Sequence, residues 1–202
     1  MKLINYSYET LEALEHFSRT YFKPNDHLFI QLFCGDVDLL KITKILHFLK
    51  NTFPKCSIIG ASTAGEIKSG RIKNGSIQIS FCQLERSISK VYYFPDVNEE
   101  SGKKAASSIV QSDTKICIAF AHPFAKDDSE DFIEGFNSVR SDIPIAGGNA
   151  ADDFLFEKAF IICEDQIYEK GVVIAALSGK TLHVNNDYSL GWTQISKALT
   201  IT

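Results

Sequence analysis

Apolar and polar positions along this chain follow two rhythms, one of period two and one helical, and the rhythms change in the same order twice. Residues 28–34 form a continuous apolar run between Pro24-Asn25-Asp26 and Gly35-Asp36, the pattern of a strand buried on both faces. Leu39, Leu40, Ile42, Ile45, Leu46 and Leu49 then keep a helical period, with Asp36 or Asp38 to cap the helix and Pro54 beyond its end. A short strand is expected at 57–59. After a loop, residues 76–81 alternate strictly and 88–94 form another run, both read as strands with one wetter face. A helix over 99–110, capped by Asn98, joins this half to the next. The order then returns as a strand at 115–121, a helix at 129–139, a short strand at 143–146, and strands at 156–163 and 171–177 around a turn near Glu164-Asp165-Gln166. Leu11, Leu14 and Phe17 add a short amphipathic helix ahead of the first half. The short connections within 76–94 and 156–177 predict antiparallel neighbours. The pattern predicts an α/β fold: a mixed β-sheet domain built from two pseudo-repeated halves (strand-helix-strand-loop-strand-strand), about 28–94 and 115–177, flanked by helices.

The repetition extends to the residues. Ile59-Gly60-Ala61-Ser62-Thr63-Ala64-Gly65-Glu66 returns as Ala146-Gly147-Gly148-Asn149-Ala150-Ala151-Asp152-Asp153, which places Gly60 on Gly147 at an offset of 87. The same offset carries Phe33 onto Phe120, Phe48-Leu49 onto Gly135-Phe136 and Ile58-Ile59 onto Ile145-Ala146. Two similar loops from two similar halves are expected to face one cleft. In the first, Gly60 and Gly65 leave backbone N–H groups uncovered for an anion, and Ser62 and Thr63 add hydroxyls. The second, through Gly147, Gly148, Asn149, Asp152 and Asp153, offers an amide and two carboxylates, which suit an ammonium or hydroxyl-bearing ligand. A small zwitterion is predicted to rest its carboxylate on the 60–65 backbone with Ser62 or Thr63, and its ammonium on Asp152 or Glu66. The alternative is that these are tight turns that let the halves pack, with Ser62 and Asn149 capping backbone and Glu66 and Asp153 in solvated turns. Neither the phosphate P-loop nor the dinucleotide fingerprint is matched.

Other chemistry is thinner. Cys34 and His122 fall at adjacent positions of the two halves, so a cysteine-dependent hydrolase is the enzyme alternative, set against a buried thiol and a solvated loop histidine. His16, His27, His47, His122 and His183 show no zinc-like spacing, Asp152-Asp153 alone is no calcium loop, and no metal or cofactor is predicted. Trp192 either stacks on the ligand or fills the core. A third reading is a scaffold domain that docks a partner on the open edge of a strand at 199–202.

Composition narrows the partners. A net charge of −4, with scattered lysines, gives no footprint for nucleic acid. No apolar stretch has the length of a signal peptide core or a membrane span, and five cysteines, odd in number and mostly within apolar runs, suit a reducing compartment. A cytoplasmic protein with no membrane partner is predicted. The alternating end Leu199-Thr200-Ile201-Thr202 reads as that of a domain cut from a longer parent.

At these residues the sequence resembles the N-terminal domain of the FIST family. The resemblance rests on Ile59 through Ile67, on Ile145 through Asp153, and on Gly191-Trp192 before the terminal Ile201-Thr202. It takes the whole chain, 1–202, as one sensory domain whose usual C-terminal FIST partner domain is absent here. It implies small-ligand sensing without catalysis, with amino acids as the ligand class. Diguanylate cyclases, phosphodiesterases, histidine kinases or chemoreceptors are the implied output modules. The chain departs from the family where Ala61 replaces a frequent Cys, and where Leu190 and Gln194 replace a common His and Pro around Gly191-Trp192. Roles of those family side chains do not carry over.

Overall fold

The computed structural model describes residues 1–109, 111–123, 129–153 and 158–185. A first series of elements comprises β1 (Lys2–Ser7), α1 (Leu11–Tyr21), β2 (Leu28–Cys34), α2 (Leu39–Thr52), β3 (Ser57–Ser62), β4 (Glu66–Lys68), β5 (Arg71–Lys73) and β6 (Ile77–Gln83). A second matches it element for element: β7 (Ile88–Phe94), α3 (Glu99–Ser108), β8 (Thr114–Ala121), α4 (Ser129–Arg140), β9 (Ile145–Asn149), β10 (Ile161–Cys163), β11 (Gln166–Tyr168) and β12 (Val172–Ser178). Among the described residues the first sheet has the order β1-β6-β2-β3-β10-β11 and the second β7-β12-β8-β9, while β4 and β5 pair only with each other. Among the described residues the parallel pairs are β2–β3 and β8–β9.

Strand alternation explains the layering. Leu28, Ile30, Leu32 and Cys34 of β2 pack with Ile42, Ile45 and Leu46 of α2, whereas Phe29 and Phe33 point to the other face. In β12, Val172, Ile174 and Ala176 pack with Phe132 and Phe136 of α4, and Val173 and Ala175 turn the opposite way to meet Phe29 and Ile59. Each sheet therefore carries helices on one face and the other sheet on its second face, a four-layer α-β-β-α sandwich. Phe33 and Phe120, related by the offset of 87, meet edge to face across the middle layer with ring centroids 5.8 Å apart. Local sequence supports the helices. Asp38 accepts the Lys41 N–H at 3.1 Å at the start of α2, and Asn98 and Ser101 form a reciprocal capping box on α3.

The sheet registers reveal the relation between the halves. Leu32 stands opposite Gly60 in one parallel pair and Ala119 opposite Gly147 in the other, both displaced by 87. Beyond β9 the displacement becomes 95, which carries β4 onto β10, β5 onto β11 and β6 onto β12. Ser69 (φ 52°) and Glu164 (φ 57°), in the turns of the two hairpins, obey the second offset and share the left-handed conformation. Eight extra residues account for the change: three residues (63–65) join β3 to β4, and eleven (150–160) join β9 to β10.

Several sequence expectations are corrected. The matching series run from β1 to β6 and from β7 to β12, so 28–94 and 115–177 are out of frame: β7, assigned to the first half, belongs to the second sheet. Residues 76–81 and 88–94 are not neighbours in one sheet, because the link 84–87 steps between layers. The strand expected at 57–59 continues through Ser62, and that at 143–146 is found at Ile145–Asn149, so Gly60, Ser62, Gly147, Gly148 and Asn149 lie in strands and not in loops. Strand β10 is Ile161–Cys163, and it pairs with β11 and β3 in the first sheet while β12 lies in the second, so the runs at 156–163 and 171–177 are not neighbours in one sheet either.

The two helix layers differ in tightness. A Cβ at Gly102 of α3 would lie 2.1 Å from the Phe132 carbonyl oxygen, and one at Gly135 of α4 would lie 2.0 Å from that of Glu99, so these helices touch backbone to backbone. The matching positions in α1 and α2 hold Glu15 and Phe48, which line an open groove of about 690 Å³.

Candidate functional site

The parallel pairs end side by side, and open α/β sheets bind ligands outside the carboxyl ends of such strands. At the end of β3 the polar groups are already used. Ser62 donates its N–H to the Phe160 carbonyl at 3.0 Å, accepts the Ala151 N–H on its own carbonyl at 2.9 Å, and accepts the Phe160 N–H on Oγ at 3.0 Å. Thr63 donates its N–H to the Cys34 carbonyl at 3.0 Å. Glu66 is only 2% exposed; its carboxylate accepts from Thr63 Oγ1 at 2.5 Å and from the N–H and Oγ of Ser76 at 3.0 and 2.5 Å. Gly65 lies half-buried between them. Asp152 is buried and accepts the Lys158 N–H at 2.9 Å, so its carboxylate is already engaged by backbone. Gly60 lies beneath Ile162, whose Cδ1 is 3.0 Å from where a Cβ would stand.

The second half differs at that spot. A Cβ at Gly147 would fall 1.8 Å from the Ala119 carbonyl oxygen, and its φ of 152° also excludes side chains, which parallels the 2.6 Å between a Cβ at Gly60 and the Leu32 carbonyl. Above Gly60 sits Ile162; beside Gly147 is a cavity of about 170 Å³. Its walls include Ala119, Ala121, Val97, Val172, Phe132, Ile133 and Ile145, and its polar rim is Ser129, Gly147, Gly148 and Asn149. Ser129 Oγ donates to Asn149 Oδ1 at 2.8 Å. Ala119 stands where the first half has the larger Leu32, which widens the space.

Among the described residues no strand pairs with the outer edge of β9. Pro144 accepts the Cys117 N–H and Ala150 donates to the Ala121 carbonyl, so the alternation of a parallel ladder turns the N–H and C=O of Ile145, Gly147 and Asn149 away from β8. The matching row on β3, residues 58, 60 and 62, is covered: Ile58 accepts from Glu164 and Ser62 donates to Phe160.

Of the residues singled out in the sequence, Gly147, Gly148 and Asn149 line the cavity, whereas Gly60, Ser62, Thr63, Gly65, Glu66 and Asp152 belong to the neighbouring joint. Trp192 lies outside the described residues, as does the stretch 199–202. The Cys34–His122 pairing is corrected. Alternation sends Cys34 to the α2 side of the first sheet, while His122 Nε2 is 3.0 Å from the Ala159 carbonyl oxygen between the layers. Burial, reinforced by the Glu66 and Asp36 carboxylates, pushes the Cys34 thiol up, the reverse of what a nucleophile needs. Burial likewise raises Cys56 and Cys117 to about 12. Because a raised pKa keeps the thiol protonated until the pH exceeds it, Cys34, Cys56 and Cys117 are expected to resist iodoacetamide near neutral pH and to react only with unfolding. Selective labelling of Cys34 in the native state would contradict this.

The cavity's apolar wall was hidden in the sequence, although the exchange of Leu32 for Ala119 at the offset of 87 was a usable signal. Among the described residues no helix is long and apolar enough to cross a membrane, and no three potential metal ligands cluster. Comparison with curated proteins finds no significant match. The profile of the FIST N domain matches residues 28–202, which takes in both parallel pairs, both hairpins and the cavity. The chain belongs to the FIST N domain family.

Proposed function

We propose that this chain is a non-catalytic, cytoplasmic sensory domain that binds a small ligand, an amino acid, beside β9 and relays its presence to a signalling output module. Membership of the FIST N domain family is consistent with a sensory small-ligand-binding domain in signalling proteins. The observation that carries the site is the cavity at Gly147, where the matching place at Gly60 is filled by Ile162. Its volume of about 170 Å³ compares with engineered cavities of about 150 Å³ that take up benzene. An apolar amino-acid side chain fits against Ala119, Phe132 and Val172. Its ammonium and carboxylate then meet the outward C=O of Gly147 and N–H of Asn149, as one more residue of a strand would.

In this reading Gly60, Ser62, Thr63, Gly65, Glu66 and Asp152 hold the joint beside the site, and the fluorescence of Trp192 is expected to change when ligand binds. The element-by-element match and the two offsets support an internal duplication as the origin of the halves. A C-terminal FIST domain is the proposed neighbour, with a diguanylate cyclase, phosphodiesterase, histidine kinase or chemoreceptor as output. A thermal-shift screen of amino acids tests the proposal: ligand at about 100 times Kd is expected to stabilise the fold by about 2.7 kcal/mol. Ala119→Leu, which restores the residue type found at position 32, is expected to stay folded, fill the cavity and lose that shift. An equal shift in Ala119→Leu would place the ligand elsewhere.

A further inference from the structure

The same comparison of halves exposes a second mismatch, and the two mismatches fit each other. In the second series, hairpin β10–β11 crosses to the first sheet and pairs antiparallel with the edge of β3, Ile161 opposite Ala61 and Cys163 opposite Ile59. Ile162, fully buried, and Ile167, opposite it in the hairpin, pack on the α2 side of that sheet. In the first series, hairpin β4–β5 has the same length and the same left-handed first turn residue, Ser69 matching Glu164, but among the described residues it pairs with no other sheet. Ile67 and Ile72 occupy the places of Ile162 and Ile167, stand opposite each other, and are 74% and 72% exposed. The surface matching the one that receives β10–β11 is the outer edge of β9 and its cavity, which no strand among the described residues covers.

The hairpin is held away from that surface in its own chain. Only three residues, 63–65, connect it to β3, against eleven for β10, and the buried Glu66 carboxylate anchors its first residue. Charge points to the occupant. The hairpin carries Lys68, Arg71 and Lys73, and α4 beside the cavity presents the exposed Glu130, Asp131 and Glu134. Hairpin and socket, basic and acidic, are therefore carried by the same chain.

We infer that two copies of this chain exchange β4–β5 hairpins, each hairpin adding an antiparallel strand to the partner's β9 and seating Ile67 in the partner's cavity. The register follows from the β10–β3 pairing: Ile67 opposite Gly147 and Lys68 opposite Ala146. Such an exchange is self-complementary and closes as a two-fold dimer. The inference goes beyond the ligand reading. A ligand in the cavity and the partner's Ile67 would exclude each other, so occupancy would be converted into assembly state.

Sedimentation of the ligand-free full chain tests it directly. The expected result is a concentration-dependent species of twice 22.5 kDa that weakens as salt screens the hairpin-to-α4 charges. Ile67→Asp, at an exposed position, is expected to remain folded by circular dichroism and lose the dimer. A Lys68→Cys/Ala146→Cys double variant is expected to form a disulfide between copies on mild oxidation, which neither single variant forms. A monomer at every concentration, a dimer unaffected by Ile67→Asp, or a disulfide formed within one chain would each overturn the exchange. Because these readouts use no ligand, their failure leaves the thermal-shift result to be judged separately.

Discussion

Gly135→Ala and Gly102→Ala are each expected to destabilise the protein by about 3 kcal/mol, seen as a lower denaturation midpoint with an unchanged slope. Alanine is intrinsically the better helix former by about 1 kcal/mol, so the sign depends on packing. Here the added methyl group would lie 2.0 Å from the Glu99 carbonyl oxygen or 2.1 Å from that of Phe132. Both obstacles are backbone atoms of the facing helix, so no rotamer change relieves them, and α3 and α4 must separate over the core formed by Phe132, Phe136, Ala105 and Ala106. A loss of this size is a large part of the roughly 5–15 kcal/mol that keeps a domain folded. Gly148→Ala is the control, since a Cβ there meets nothing within 4 Å. It is expected to cost little. If the helix variants matched it, the close contact of α3 and α4 would be wrong.

Glu66→Ala is expected to cost a similar amount, about 3 kcal/mol, for an electrostatic reason. The carboxylate satisfies Thr63 Oγ1 and both the N–H and Oγ of Ser76 in a site almost closed to water. Its removal leaves these donors facing a void, at about 1–3 kcal/mol for each buried group without a partner. Ser76→Ala gives up one of those donors and keeps the N–H bond, so about 1 kcal/mol is expected. Chemical denaturation of both variants checks the order. A Glu66→Ala protein as stable as the wild type, but weaker in amino-acid binding, would return Glu66 from the joint to the ligand site.

The sequence revealed most where a pattern was long or local. The runs at β2 and β8 and the helical period of α2 give the strand-helix-strand core of each half, and the offset of 87 matches the register of both parallel pairs. It failed at elements of three residues. Glu66-Ile67-Lys68 and Arg71-Ile72-Lys73 carry too few apolar positions to show a period, yet their turn and cross-strand bonds suffice to make a hairpin. Strand β1 lies at a sheet edge, where half of its positions are solvated and its apolar signal is diluted. The four residues between β6 and β7 are compatible with a hairpin or a step between layers; packing of Phe29 and Phe33 against the second sheet decides for the step. At the site, Gly147-Gly148-Asn149 was legible because two glycines in a row mark an unusual backbone. The cavity itself was not, since it arises from what is missing there: Ala119 in place of Leu32 and, among the described residues, no hairpin over β9.

We propose that ligand enters beside β9, whose outer edge is unpaired among the described residues. Amide chemical shifts of the isotope-labelled chain, titrated with the amino acid that scores highest in the thermal screen, test it most directly. Saturable shifts are expected at Ala119, Phe132, Gly147, Gly148 and Asn149, and are expected to disappear in Ala119→Leu. Saturable shifts centred instead on Gly60, Thr63, Gly65 and Asp152, with β9 unmoved, would contradict it and put the ligand in the joint between the halves.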